Sequence, residues 1–268
     1  MNKNKKMPLI GISGKAGAGK DLVGGIIQYL IARKDDNRGI KIQTAEFLGL
    51  TPQNWKAIHQ AQNWKIVKFA DKLKDIVCLL IGCTRQQLED REFKEKELGE
   101  EWWYWGNTAL NICPKEYGTF PNKMYRTKKE ADKARDLYTL DRHNLSHIVK
   151  PTPRILLQQI GTDLFRNQLH PNTWVNATFA NYQDDNWIIT DMRFPNELEA
   201  IKKHNGITIR INRGLIERTG KMIQGPEHIS ETALDNAEFD YVIENDCTID
   251  DLIEKVREIL IKENIIND

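Results

Sequence analysis

Cysteine is scarce in this chain of 268 residues, and the four present, Cys78, Cys83, Cys113 and Cys247, include no Cys-x-x-Cys pair. That argues against a thiolate-pair zinc module, and a secreted chain stapled by disulfides would be denser in cysteine. Four free thiols in a reducing compartment are expected. An excess of one charge is also missing, with 39 basic against 38 acidic residues and a net charge of +1. No global basic field draws the chain to nucleic acid or to a membrane surface. Long hydrophobic runs are lacking too: none approaches the ~18 apolar residues of a membrane span. The basic start, Met1-Asn2-Lys3-Asn4-Lys5-Lys6, leads into no apolar stretch of signal-peptide length. A soluble cytoplasmic protein is expected, without nucleic acid or membrane among its partners.

What the chain does have is a hydrophobic content of 40%, enough to bury a sizeable core. Pro8-Leu9-Ile10-Gly11-Ile12-Ser13 is short, apolar and glycine-bounded, which suits a buried parallel strand. A glycine-rich turn follows. Val23, Ile26, Ile27, Leu30 and Ile31 then form one face of a helix over residues 22–32. Residues 33–64 are polar and weakly periodic. A second strand is read at Ile66–Ala70, with Asp71 as the cap of the next helix. Further on, helices are expected at 154–168, 173–182, 196–204 and 248–262. Strands are expected at Trp187–Thr190, ending at Asp191, and at Ile207–Ile211 and Tyr241–Ile243. The pattern predicts an α/β fold in three layers, a central parallel sheet with helices on both faces. The whole of 1–268 reads as a single domain.

Residues 83–150 differ in character. Glu89–Glu101 is dense in charge, Trp102, Trp103, Tyr104 and Trp105 cluster, and a highly charged helix is read at Lys128–Leu140. This stretch is expected to be a helical insertion, a substrate or lid subdomain. The tryptophan cluster reads as a local mini-core, with a substrate platform as the alternative.

The turn itself, Gly14-Lys15-Ala16-Gly17-Ala18-Gly19-Lys20, fits G-x-x-x-x-G-K. Its glycines let successive backbone N–H groups turn toward phosphate oxygens. Lys20 reaches the outer phosphates, and the next helix presents its N-terminus to the anion. A Ser or Thr hydroxyl for magnesium should follow, but Asp21 stands there. Three readings are open: Asp21 holds magnesium directly or through water, it pairs with an arginine, or the loop is degraded.

The residues resemble those of phage deoxynucleoside monophosphate kinases of the T-even type, within the nucleoside-monophosphate-kinase branch of P-loop proteins. Gly19-Lys20-Asp21 resembles the usual end of that family's loop, which implies that Asp21 is compatible with activity. Ala70-Asp71-Lys72-Leu73-Lys74-Asp75 resembles its second strand running into a lysine-bearing helix, and so implicates Lys74 in substrate binding. Arg154–Asp163 resembles its substrate-side helix, with Trp174 at the family's spacing. Ile189–Glu197 resembles the strand-end segment that meets the substrate. His228–Glu231 and Val242–Asp246 resemble two later landmarks.

The resemblance implies a P-loop kinase fold, ATP and Mg2+ as cofactors, small-molecule nucleotide substrates, and a place in the host cytoplasm if a phage encodes the chain. It also allows a homodimer. The expected activity is ATP-dependent phosphorylation of (deoxy)nucleoside monophosphates to diphosphates. Two alternatives stand beside it: a kinase for another phosphorylated metabolite, of the dephospho-coenzyme A or phosphomevalonate type, or a nucleotide-binding regulator without transfer.

The roles follow. Gly14, Lys15, Ala16, Gly17, Ala18, Gly19, Lys20 and Asp21 bind ATP, and Lys20, Arg193 and Arg213 are the catalytic cations. Arg193 can grip the acceptor phosphate in a fork, and Arg213 stands where family members carry an arginine near the donor. Arg210, Arg213 and Arg218, among Gly214, Gly220 and Gly225, read as a lid; a solvated loop is the alternative. Arg154, at a helix start where the dipole does not favour a cation, is explained by an acceptor phosphate or by solvent. Gly161 and Thr162 resemble acceptor contacts. Trp174 either stacks on a base or packs in a core. Asp191 binds magnesium through water, contacts the acceptor, or caps a helix. Glu197 accepts hydrogen bonds from sugar or base, or pairs on the surface. His228 is a weak phosphate contact.

Overall fold

The structure, a computed structural model, describes residues 9–32, 64–107, 126–138, 146–183, 186–213 and 229–267. Cys113, Arg218, His228 and the three glycines of the expected lid lie outside the described residues. Two compact units are present: Met1–Asp71 with Trp174–Asp268, and Lys72–Thr173.

In chain order the elements are β1 (Ile10–Gly14), α1 (Lys20–Ala32), β2 (Trp64–Val67), α2 (Asp71–Ile81), α3 (Arg85–Glu89), α4 (Arg91–Glu95), β3 (Tyr104–Asn107), α5 (Lys128–Tyr138), β4 (Ser146–Val149), α6 (Pro153–Gln158), α7 (Thr173–Phe179), β5 (Asn186–Met192), α8 (Pro195–Lys203), β6 (Ile207–Asn212), α9 (Ile229–Thr232), β7 (Tyr241–Glu244) and α10 (Ile249–Lys262).

The first unit is built on a five-stranded sheet in the order β2-β5-β1-β6-β7, with every neighbouring pair parallel. Side chains alternate across a strand. Ile10, Ile12 and Ile188 therefore enter one core with Val23, Ile26 and Ile27 of α1 and Leu252, Val256 and Leu260 of α10. Leu9, Trp187 and Ile189 enter a second core on the other face, with Leu198 and Ile201 of α8 and Val175 of α7. The expected layered α/β architecture is present. Gly11 allows α8 to come close, since a Cβ there would lie 3.0 Å from Ile201.

Between β1 and β5 the register slips: Gly11 pairs with Ile189 but Ser13 pairs with Met192. Two steps along β1 correspond to three along β5, so β5 carries the extra residue of a bulge. The strand does not end at Asp191, as the sequence suggests, but runs on to Met192. Likewise β2 stops at Val67 and not at Ala70, because the N–H groups of Phe69 and Ala70 bond to the Asp191 carboxylate.

The second unit has its own small core of Val77, Leu88 and Leu156, flanked by Leu73, Ile81, Phe93, Trp102 and Ile160. Thr84 and Asp90 cap α3 and α4 by accepting N–H bonds at the third helical position. β3 and β4 pair antiparallel. Trp102 packs in this core, in line with the mini-core reading, and Trp103 donates its indole N–H to Leu98 O at 3.0 Å. Pro153 and the Thr152 cap begin α6 where the sequence puts a helix start. Beyond Gln158 the helix opens into a π-helix over Gln159–Leu169, which periodicity does not reveal. Such widened turns are frequent at functional sites.

Candidate functional site

At the carboxyl end of β1 the backbone turns through Lys15–Gly19 and enters α1 at Lys20. Parallel sheets bind ligands at this end. Gly14 and Gly19 are required there: a Cβ on Gly14 would stand 2.6 Å from Ile211 O, and one on Gly19, at φ +100°, would stand 2.6 Å from Asn245 Nδ2.

Neighbouring elements brace the loop. Lys20 Nζ folds back to donate to Gly14 O at 2.7 Å and Lys15 O at 2.8 Å. Asn245, just past β7, donates to Ala18 O at 2.8 Å, and Arg213, just past β6, donates to Gly17 O at 3.3 Å. Glu231 of α9 accepts the Ala16 N–H at 2.6 Å, and its other oxygen pairs with Arg193.

Asp21 lies in the first turn of α1 and is bound twice through one oxygen. Its Oδ1 accepts the Thr190 hydroxyl at 2.7 Å and lies 2.8 Å from Lys68 Nζ. Its basic partner is thus a lysine, and not the arginine of one of the three open readings. Desolvation works against its charge, but Lys68 and Thr190 outweigh it and hold the carboxyl below the usual range. Oδ2 accepts no hydrogen bond from the described residues. Burial, and then the nearby Arg193, lower the Lys20 ammonium from 10.5 to about 8, against the pull of Glu231, Asp21 and Asp191.

Asp191 ties strands together. Its two oxygens accept the N–H groups of Phe69 at 2.8 Å and Ala70 at 3.0 Å, fixing the chain just before α2. Burial pushes its carboxyl up in spite of these donors and Lys68. Asp71 does not cap α2: it is the first residue of that helix, and its carboxylate accepts the Lys68 N–H at 2.9 Å. Glu197 is 2% exposed, and its Oε2 accepts the N–H groups of Arg193 at 2.7 Å and Phe194 at 3.1 Å. It closes the turn from β5 into α8 instead of facing solvent. Arg210 belongs to β6 and not to a lid: it is buried, bonded to Ser13 Oγ at 3.0 Å and to Asp235 at 2.6 Å. Trp174 is buried at 5% exposure, as in the core reading.

In the second unit, Lys74 meets Glu89 at 2.5 Å and Arg154 pairs with Glu95. Lys94 joins them. Burial, then Lys74 and Arg154, lower its ammonium, while Glu89 pulls it the other way. Lys94 therefore feels the charge of both other cations. Gly161 lies in the π-helix, where a Cβ would stand 2.7 Å from Leu73, so its bareness makes room for that side chain; Thr162 follows it.

The structure thus gathers Lys20, Asp21, Arg193, Arg213 and Asp191 around the loop in the first unit, and places Lys74, Arg154, Gly161 and Thr162 in the second. Sequence reasoning missed Lys68, Thr190, Lys94 and the contacts of Glu231. Lys68 had one signal, a lone lysine within an otherwise apolar strand pattern. Lys94 was hidden in the charge-dense stretch Glu89–Glu101.

A family model described as deoxynucleotide monophosphate kinase matches residues 108–256. The chain is 33% identical over 113 residues to a deoxynucleotide monophosphate kinase of Escherichia phage RB69, covering 40% of this chain and 44% of that one. It is 25% identical over 154 residues to a deoxynucleoside-5'-monophosphate kinase of Escherichia phage T5, covering 51% and 58%. With a deoxynucleotide monophosphate kinase of Enterobacteria phage T4 the identity is 29% over 113 residues, covering 40% and 44%. The chain spans about half the length of these relatives. The family match takes in β5, β6 and β7 together with Arg193, Arg213 and Glu231, and covers more than half of the chain. The chain belongs to the deoxynucleotide monophosphate kinase family.

Proposed function

We propose that the protein transfers the γ-phosphoryl group of ATP to a (deoxy)nucleoside monophosphate. An acceptor phosphate oxygen forms the new P–O bond, the bond to the β-phosphate oxygen breaks, and ADP leaves with a nucleoside diphosphate. The observation that carries this reading is the braced glycine loop after β1 with Lys20 inside its turn and Arg193 beside it. Phosphoryl transfer asks for positioned phosphates and positive charge more than for covalent catalysis. Lys20 and Arg193 supply that charge, with Arg213 at the loop's Gly17. Lys74, Lys94 and Arg154 are the cations assigned to the acceptor.

The residues present fit a hydrated Mg2+. Asp21 is held anionic and keeps Oδ2 without a partner among the described residues. Among the described residues no group of three or more His, Cys, Asp or Glu side chains could hold a metal ion, so an ion held by Asp21 would take its other ligands from phosphate oxygens and water. The ion would neutralise charge on the phosphates. Asp191, with both oxygens taken by backbone N–H groups, is the weaker candidate.

The test is transfer from radiolabelled ATP to each dNMP and NMP at fixed Mg2+, with dephospho-coenzyme A and phosphomevalonate as further acceptors. Labelled dNDP supports the reading. ATP binding without transfer to any acceptor in the panel overturns it. Among the described residues no helix is long and apolar enough to cross a membrane.

A further inference from the structure

Glu231 makes two contacts that a phosphate group would be expected to make. Its Oε2 accepts the Ala16 N–H at 2.6 Å, within the loop whose N–H groups cradle phosphate. Its Oε1 pairs with the Arg193 guanidinium. The same carboxylate acts on the Lys20 ammonium, which it pulls upward. One anion is therefore held by a loop N–H and an arginine, within the field of the loop lysine. Those are the kinds of group that bind a phosphoryl group about to be transferred. The side chain is mostly covered, at 18% exposure, and Arg193 together with the Ala16 N–H holds its carboxyl below the usual range against the effect of burial. It is ionised at neutral pH.

We propose that Glu231 is an internal competitor of the nucleotide: it holds the contacts of a transferred phosphate oxygen, and binding exchanges one anion for the other. This rests on the phosphate-loop reading above. The exchange frees the Arg193 guanidinium from a carboxylate as the phosphate arrives, so the arginine turns to the substrate only when donor is bound. A carboxylate and a phosphate cannot both sit there, because like charges so close repel strongly. A ligand shifts such an equilibrium only by its differential affinity for the two states, so the affinity measured for ATP carries the cost of displacing Glu231. The opposite view makes Glu231 a permanent strut that shapes the loop for ATP.

The two views differ in sign. The test is calorimetric binding of Mg-ATP to the full chain, to Glu231→Gln and to Glu231→Ala, with far-UV circular dichroism to check the fold. Glu238→Gln, an exposed carboxylate removed elsewhere, controls for simple loss of charge. Glu231→Gln should bind ATP about tenfold more tightly than the unaltered chain, a difference of about 1.4 kcal/mol. Glu231→Ala should shift in the same direction, and Glu238→Gln should not move. In steady state, KM for ATP should fall in both Glu231 variants. Unchanged or weaker ATP binding by folded Glu231 variants overturns the proposal and leaves the kinase reading standing. If the unaltered chain binds no ATP at all, the phosphate-loop reading itself fails.

Discussion

Lys68 Nζ lies 2.8 Å from Asp21 Oδ1, the same oxygen that accepts the Thr190 hydroxyl. The acidic residue at the end of the phosphate loop thus faces a fixed counter-ion from the end of β2. Its repulsion toward a triphosphate is reduced before any metal arrives. The pairing depends on tertiary structure, since 47 positions separate the two residues in the chain.

Lys68→Ala should therefore weaken ATP binding. Asp21 keeps its charge but loses its partner, and the affinity measured by calorimetry should drop on the order of tenfold. Adding Asp21→Ser, which removes the carboxylate and restores a hydroxyl, should recover most of the loss. No recovery in the double variant would show that Lys68 acts on the nucleotide directly.

Lys20→Ala should lower transfer by about two to three orders of magnitude, as for loss of one strong donor to the transition state, while circular dichroism stays unchanged. The ammonium's descent from 10.5 to about 8 has a measurable sign. Phosphate prefers the protonated lysine. Below pH 8 Lys20 is already charged; above it, binding must take up a proton. ATP affinity should then decline as pH rises above 8, and this slope should vanish in Lys20→Ala. For stability the sign is reversed. Between 8 and 10.5 the unfolded chain holds the proton more tightly, so this group's contribution to stability rises with pH across that window.

Asp191→Ala should destabilise the first unit. Two backbone N–H groups, of Phe69 and Ala70, lose their acceptors, at a cost of about 2–4 kcal/mol in urea denaturation. Asp191→Asn keeps one carbonyl oxygen and should cost roughly half as much. A loss of activity without loss of stability in both variants would move Asp191 from tether to ligand contact.

Arg154→Ala and Lys74→Ala test the acceptor side. Each should raise KM for the nucleoside monophosphate by about tenfold or more, leaving KM for ATP within about twofold. Steady-state kinetics with each substrate varied in turn separates the two. Equal changes in both KM values would count against an acceptor role.

Much of the fold was legible because burial writes itself into short apolar runs. Leu9–Ser13 and Trp187–Thr190 are buried on both faces of a parallel sheet and read as nearly continuous apolar segments, and Ile207–Ile211 is buried too, although Thr208 and Arg210 interrupt its apolar run. Thr248 with Asp251 marks a capped helix start, and each side chain accepts the other's backbone N–H at 3.2 Å. Strand ends were less legible. β2 ends three residues before the pattern because backbone donors go to a side chain, and β5 runs one residue past it, where a bulge adds one residue. Neither leaves a periodic trace.

By itself the sequence determined the phosphate loop, the strand–turn–helix around it and the layered α/β class, because glycine spacing and apolar periodicity are local properties. It could not determine what each charged side chain faces. Asp21 meets Lys68, Arg193 meets Glu231, Arg210 meets Asp235, and Glu197 turns inward to two backbone N–H groups. These choices belong to tertiary structure: a buried or half-buried charge must find a partner, and the sheet order decides which distant residue stands within reach.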